Sequence, residues 1–527
     1  MIGFRFRLSH SDVGIVGYGV YIPIQRIRTE LIVKAREAKR KDLPDFLKKV
    51  RDGLLLRYKA IAGMDEDTIT IASEAGLNAI KMAGVDPNKI GTVAVGSESK
   101  PYAVGTIARH VASFTGIGNR VYVADLEGAC NAGMQALSFV QGQVADGKID
   151  YGLAIGADVA QAPQGDPLEY ACGAGAGAFL VGRDDLVASI EDTAAYSSLT
   201  LDFWRRDGMP YPSHFGRTTV EAYVKHVIGA IEHMLARHPD LKLMDFDYLT
   251  FHQPSGYMPL KACKTLCQGK IEGLDDPSVE PRIHLTPEYV EEKVKPWLRV
   301  LDTGNTYAAS TPIALCDILD HATPGENILA VSYGSGAYTI ATWLKVQEGI
   351  LRKRDRTPTV EQYLTRKREI KLETYQDHLR QKLRIVRRRI SHPRIIGEIE
   401  PLEGSHITAT LCHGCDRVFY PARDRCLEWD CKGPVEQRQF PVSAKLVSFR
   451  KLPIQRRLTS NFEIISKGKA LIVDVASGDA INGTALEVVI RKLDDEGRNG
   501  LIIYGPAYRP AFRSTINNTE NKSENKA

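Results

Sequence analysis

Residues 121–137 read VYVADLEGACNAGMQAL. The first residues form a short apolar run, small residues follow, and then a stretch of helical spacing. That order predicts a buried strand that turns into a helix, with Cys130 at the helix start. The same unit recurs. KIGTVAVGSES (89–99), YGLAIGADV (151–159), DYLTFHQPSG (247–256) and NILAVSYGSG (327–336) are apolar runs that end in small, polar or turn residues. DVGIVGYGVYI (12–22) is β-rich and punctuated by glycine, and 70–85 has helical spacing with Gly84 as its stop. Such alternation over 12–345 predicts an α/β fold with largely buried strands. It falls into two similar halves, about 12–190 and 196–345, without an exact repeat.

The 527 residues are 43% hydrophobic and 25% charged, which suits a folded chain of more than one domain. A net charge of +5 is too small for a protein that coats nucleic acid. No uncharged apolar run approaches the roughly 20 residues of a membrane helix, and MIGFRFRLSHSDVGIV at the start is no secretory signal. Nine cysteines in this length are not a disulfide framework, so a reduced, cytoplasmic setting is expected.

The composition shifts after residue 350. Residues 351–400 carry 15 Lys and Arg against 7 Asp and Glu. QYLTRKREIKLETYQDHLRQKLRIVRRRI (362–390) has high helix propensity, and 351–395 reads as a basic helical linker with a solvated face. The sharper alternative is an arm that docks a partner or phosphates. Cys412, Cys415, Cys426 and Cys431 form two cysteine knuckles across a short hairpin. Four thiolates suit a closed, structural zinc site, so 396–435 reads as a zinc-binding unit. Residues 436–512 alternate as AKLVSFRKL, KALIVDVAS, ALEVVIRKL and LIIYG, an all-β pattern compatible with a small barrel. The polar tail over 513–527 is expected to be disordered.

Several polar residues stand at the ends of the predicted strands. A helix start lowers a thiol pKa through the dipole and free N–H groups, which would make Cys130 a nucleophile. Taken alone, it reads more readily as a small buried core residue. Glu98 follows another strand, and His252 stands where a strand meets a proline-bearing turn. Asn305, the glycine-dense run Cys172–Gly177 and the turn Gly334–Ser335–Gly336 carry little singly. None has the context of a dinucleotide-binding loop. Together, a thiol, a carboxylate, an imidazole and an amide supply what a carbon–carbon bond-forming acyl transfer needs.

The ordered series VGSESKPYAV, GACNAGM, GDPLEY, DFWRR, FGRTTVEAYVKHV, FHQPSGYMP, GNTYAAS and SYGSGA resembles archaeal-type hydroxymethylglutaryl-CoA synthase, of the thiolase superfamily, over about 12–350. The resemblance implies a duplicated, five-layered thiolase-like fold over 1–350. It implies Cys130 as the acetylated nucleophile, Glu98 as general acid/base and His252 as the group that positions the second substrate. Asn305, Gly334, Ser335 and Gly336 would orient substrate. The implied substrates are acetyl-CoA and acetoacetyl-CoA, joined with water to give hydroxymethylglutaryl-CoA at the committed step towards mevalonate. Asn131 and Tyr257 stand where that pattern usually has lysine, and Met134 where it has threonine. Residues 385–512 resemble the zinc-ribbon and OB-fold proteins that accompany thiolases and these synthases. That implies a zinc ribbon, an OB-type barrel over 436–512 and a possible thiolase partner. The family also implies a homodimer. Rival readings are a related condensation on other acyl-CoA substrates, or a non-catalytic scaffold for a thiolase.

Overall fold

The computed structural model describes residues 12–383, 406–415, 418–419, 426, 431, 433–441, 443–445, 485–495 and 502–511. Its first strands are β1 (Gly14–Tyr21), the short β2 (Gln25–Arg28) and β3 (Tyr58–Ile61), β4 (Ile90–Gly96), β5 (Tyr122–Leu126), β6 (Tyr151–Val159) and β7 (Ala174–Gly182). There follow β8 (Ala188–Thr200), the two-residue β9 (Phe203–Trp204) and β10 (Ser213–His214), β11 (Tyr248–Phe251), β12 (Asn327–Gly334) and β13 (Gly336–Val346).

Nine of these make one sheet in the order β11-β12-β13-β8-β1-β7-β6-β4-β5. β4 pairs parallel with both β5 and β6, and β11 pairs parallel with β12. The other pairings in the sheet are antiparallel. The expected break between halves, 190–196, falls inside β8, whose pairing with β1 joins the two sets of strands.

Strands β1, β4, β6, β7 and β12 are covered on both faces, and are nearly continuous buried runs. Asp67 caps the helix Thr68–Ala83 by accepting from the Thr70 N–H at 3.1 Å, and Thr70 Oγ1 accepts from the Asp67 N–H in return. This helix is buried along almost its whole length. It presses so closely on β1 that a Cβ on Gly19 would fall 2.4 Å from the Ala75 carbonyl oxygen. Tyr18, which alternates with Gly19, donates instead to Asp320 of the helix Ser310–His321 at 2.9 Å. The two buried helices therefore flank β1 from opposite faces.

The start of the basic segment is not a solvated linker. Over its described part, to Leu383, it is packed on the α/β body. Lys353 donates to the Val16 carbonyl at 2.9 Å, and the Val360 N–H donates to Asp320 at 2.8 Å. β14 (Arg368–Glu369) adds in parallel to β2. On the helix Leu372–Leu383, Tyr375 and Leu379 are buried against the first residues of the body. Apolar side chains set among the charges tie this stretch down. The arginine-rich 384–390 lies outside the described residues.

Two small sheets follow. β15 (His406–Cys412) pairs antiparallel with β16 (Val418–Phe419) and β17 (Val435–Pro441). β18 (Ser443–Lys445), β19 (Ala485–Asp495) and β20 (Ile502–Pro510) form an antiparallel meander. Ile490 and Tyr504 of that meander join the main hydrophobic core. The strand expected at 469–477 and the polar tail from 513 lie outside the described residues. Among the described residues, no helix is long and apolar enough to cross a membrane.

Candidate active site

The parallel strands bring their carboxyl ends together, with Gly96 in register with both Leu126 and Gly156. The loops that leave these ends meet at one place, as open α/β sheets arrange their sites. Glu98 follows β4, Asp158 closes β6, and Cys130 follows β5 in a single 3-10 turn, Ala129–Asn131, before the helix Ala132–Ala145. Ala129 holds a left-handed backbone, φ 51°, immediately before the nucleophile candidate. Such strain persists only where surroundings enforce it. Here they do: a Cβ on Gly133 would lie 2.3 Å from the Ala308 carbonyl oxygen, so the nucleophile's helix has no room to shift.

Cys130 is 5% exposed, and its thiol faces the Glu98 carboxyl. The helix dipole does not lower this thiol. Burial, then the Glu98 charge, hold it well above the ordinary thiol range. Burial first, and then the charge of Asp158, push Glu98 up to about 8. The carboxyl is therefore poised to give or take a proton near neutrality.

Asp158 is the hub of the loop. One carboxylate oxygen accepts from Ser97 Oγ at 2.8 Å, from the Glu98 and Ser99 N–H groups at 2.9 Å each, and from Ser99 Oγ at 2.6 Å. The other accepts from the Ala308 N–H at 2.9 Å. It thus fixes the backbone of Glu98 and joins it to the turn Tyr307–Ala309.

His252 follows β11 and is 1% exposed; its backbone N–H donates to the Val331 carbonyl at 2.9 Å, and its carbonyl accepts from Tyr223 Oη at 2.7 Å. Burial pushes the imidazole down to about 3, so it is neutral, and its Nδ1 has no hydrogen-bond partner among the described residues. Asn305 is held by backbone bonds to Ala171 and Gly173, at 2.7 Å each, and its Oδ1 accepts from the Tyr307 N–H at 2.9 Å. The turn Gly334–Ser335–Gly336 lies against the nucleophile's turn, and a Cβ on Gly334 would fall 2.2 Å from the Gly128 carbonyl oxygen. The structure thus joins Glu98 and Cys130 directly, and sets Asn305 and the 334–336 turn around them. His252 comes from the end of β11, the opposite edge of the sheet beside β12, and makes no described side-chain bond to either.

Far along the chain, Cys412, Cys415, Cys426 and Cys431 converge with all four sulfurs within 4.8 Å of one another. Cys412 and Cys431 are 3.6 Å apart, as are Cys415 and Cys426. A tetrahedron with zinc–sulfur bonds of about 2.3 Å has edges of about 3.8 Å. The donor set and spacing fit such an ion.

Residues 61–174 match the family model described as "Thiolase, N-terminal domain". The chain is 43% identical to the hydroxymethylglutaryl-CoA synthase of Methanopyrus kandleri over 358 residues, 68% of this chain and 94% of that protein. It is 42% identical to that of Methanothermobacter thermautotrophicus, over 69% of this chain and 96% of that one. The chain belongs to the hydroxymethylglutaryl-CoA synthase family. It is therefore a condensing acyltransferase of the kind that forms carbon–carbon bonds. MvaS in complex with 3-hydroxy-3-methylglutaryl coenzyme A shares the fold, with a TM-score of 0.62 at 24% identity over 70% of this chain and 91% of that one.

In this member of the family, sequence reasoning missed three residues. Asp158 ends an ordinary-looking strand, and only the fold shows its five acceptor contacts. Asp202 is fully buried, accepting from Tyr333 Oη and the Gly336 N–H at 2.9 Å each, and so fixes the 334–336 turn. Tyr307 has a left-handed backbone, φ 47°, and a buried hydroxyl without a partner among the described residues. Burial and the nearby Cys172, Glu98 and Cys130 raise that hydroxyl's pKa. The one signal in the sequence was its place next to Asn305 in GNTYAAS.

Proposed function

We propose that this chain joins acetyl-CoA to acetoacetyl-CoA and water, giving hydroxymethylglutaryl-CoA and free CoA through an acetyl-Cys130 intermediate. The observation that carries the reading is the Glu98 carboxyl set against the Cys130 thiol and held there by Asp158. The Cys130 sulfur attacks the acetyl thioester carbonyl, the thioester's bond to CoA breaks, and the thiol proton ends on the departing CoA sulfur. Glu98, as carboxylate, then takes a proton from the acetyl methyl group, and the resulting carbanion attacks the ketone of acetoacetyl-CoA. Neutral His252 donates a hydrogen bond to that ketone as its oxygen gains charge, and Glu98 returns the proton it took to make the hydroxyl. Asn305 and the Gly334–Ser335–Gly336 turn orient the acyl groups. Water finally cleaves the Cys130 thioester.

The four cysteines hold a structural zinc ion in a ribbon formed by β15, β16 and β17, and β18–β20 belong to an OB-type barrel. The ribbon and barrel help retain CoA or dock a thiolase. A homodimer is expected through β5, which ends the nine-stranded sheet as an edge and leaves Tyr122 69% exposed. The deciding experiment is the intact mass of the protein after incubation with acetyl-CoA. One acetyl group on Cys130, lost in Cys130→Ala, is the expected result; an acetyl group that stays and maps to Cys172 rejects the assignment.

A further inference from the structure

The loop that carries Glu98 runs from Ser97 to Thr106 between β4 and the helix Ile107–Phe114. It is anchored at both ends by carboxylates of the α/β body. Asp158 holds its start, as described. Asp125 holds its end, accepting from Thr106 Oγ1 at 2.7 Å and from the Ile107 and Ala108 N–H groups at 2.9 and 3.0 Å. Its middle is held from a different part of the chain. The Ile502 N–H of β20 donates to Tyr102 Oη at 2.9 Å, across 400 residues of sequence. Tyr102 stacks on His110 with ring centroids 5.6 Å apart, and Tyr504 meets both His110 and Phe114, at 6.1 and 5.5 Å.

A second line of contacts reaches the same loop. Tyr504 Oη donates to Asp67 Oδ2 at 2.6 Å. Asp67 caps the helix Thr68–Ala83, and the hydroxyl of Thr68 donates to the Ser99 carbonyl at 2.8 Å. Ser99 is the neighbour of Glu98 and is itself bonded to Asp158.

The docking is built into both partners. Arg491 of β19 is fully buried; it donates to Glu74 at 2.8 Å and to Tyr21 Oη at 2.9 Å. Arg509 of β20 pairs with the other Glu74 oxygen at 3.1 Å. Glu74 lies on a buried helix of the α/β body, where an unpaired carboxylate would be costly. The body therefore carries a charge that is matched by arginines of the C-terminal sheet.

We infer that the C-terminal sheet β18–β20 is a positioning element for Glu98, acting in cis through Tyr102 and through the Tyr504–Asp67–Thr68–Ser99 line. This rests on the reading of Glu98 as the base of the condensation. Among the described residues the sheet makes no bond to Cys130; it fixes the loop that presents the carboxyl.

The test uses the full chain. Tyr504→Phe keeps the ring and removes the hydroxyl to Asp67; Tyr102→Phe removes the acceptor for Ile502. Each should lower condensation kcat by about three- to tenfold, with KM and the rate of Cys130 acetylation within about twofold. Burial is the largest cause of the raised Glu98 pKa. A loosened loop should therefore move the acid limb of the kcat–pH profile to lower pH. Amides of 97–106 should exchange hydrogen faster in both variants, a readout that stands even where one variant is poorly active. Unchanged kcat and pH limb in both variants would overturn the inference, as would parallel loss of acetylation and condensation. Glu98→Gln separates the two readings. If it condenses at full rate, the base assignment fails; if it is inactive while both tyrosine variants behave as wild type, only the positioning role fails.

Discussion

Cys130 and Cys172 lie in one small apolar cluster with Tyr307, and both are buried. Opposite charges face them. Cys130 meets the Glu98 carboxyl, while Cys172 Sγ lies 3.3 Å from the Lys59 ammonium. Burial alone would lower the Lys59 pKa, but Cys172, Tyr375 and Glu169 outweigh it and raise it. By charge alone, Cys172 is the thiol that faces a cation. Yet its backbone is pinned to Asn305 on both sides, and its fully buried sulfur is bonded to a lysine. The lesson is that a thiol at rest need not be a thiolate. A neutral thiol can give up its proton as the bond forms, to the sulfur of the departing CoA.

The largest expected effect breaks this comparison outright. Cys130→Ala should abolish both acetylation and condensation, whereas Cys172→Ala should retain both. Equal losses in the two variants, measured by intact mass and CoA release, would mean that the cluster acts as one packing unit.

The carboxyl side comes next. Glu98→Ala should cut condensation by about 10²–10⁴-fold, the usual range for losing a general base, while acetylation of Cys130 largely survives. Loss of acetylation to the same extent would show instead that Glu98 serves chiefly to deprotonate the thiol.

Asp158→Asn should cost condensation about 10–100-fold, since several hydrogen bonds to one charged group are weakened. Its pH dependence carries a sign. Asp158 raises the Glu98 pKa, so removing that negative charge should shift the acid limb from near pH 8 downwards. A limb that stays fixed or moves up would show that the limb does not report Glu98.

These expectations separate what the sequence discloses from what it conceals. Cys130 and Glu98 were legible because each follows an apolar run at a strand end, and strand ends gather in α/β folds. The thiolate cluster was legible from spacing alone. Asp158 was not, because a strand-terminal aspartate has no local mark; its role is made by partners at 97–99 and 308. Nothing local marks Arg491 and Arg509; their partner Glu74 is 417 residues from Arg491. The basic segment misled for the opposite reason. Its charges suggested solvation, but Val360, Tyr363, Tyr375 and Leu379 are buried and decide its path.

A smaller effect on the chemistry is expected at the four-cysteine cluster. Cys412→Ser with Cys415→Ser removes half of a closed thiolate set, and metal binding in such sites is coupled to folding. Zinc content should fall from about one per chain to near zero, with the 406–441 strands opened to proteolysis. Cys130 should remain acetylatable. A folded, protease-resistant 406–441 without metal would refute the structural zinc site.

The smallest effect sharpens the opening contrast. In Cys172→Ala, Lys59 loses its sulfur contact but keeps the Glu169 carbonyl at 2.6 Å and Tyr375 Oη at 3.5 Å. The ammonium therefore stays partnered, and the cost is the buried sulfur and one weak bond, about 1–2 kcal/mol. Asn305 is held through the backbone of Ala171 and Gly173, which the substitution leaves in place. A modest fall in melting temperature is expected, with condensation within about twofold of wild type. Lys59→Met in the same assay supplies the contrast: it leaves the Glu169 carbonyl without its ammonium and should lower the melting temperature further. If Cys172→Ala instead slowed condensation more than tenfold at unchanged stability, the Lys59–Cys172 pair would belong to the chemistry, and the division between a reacting thiol and a packing thiol would have to be redrawn.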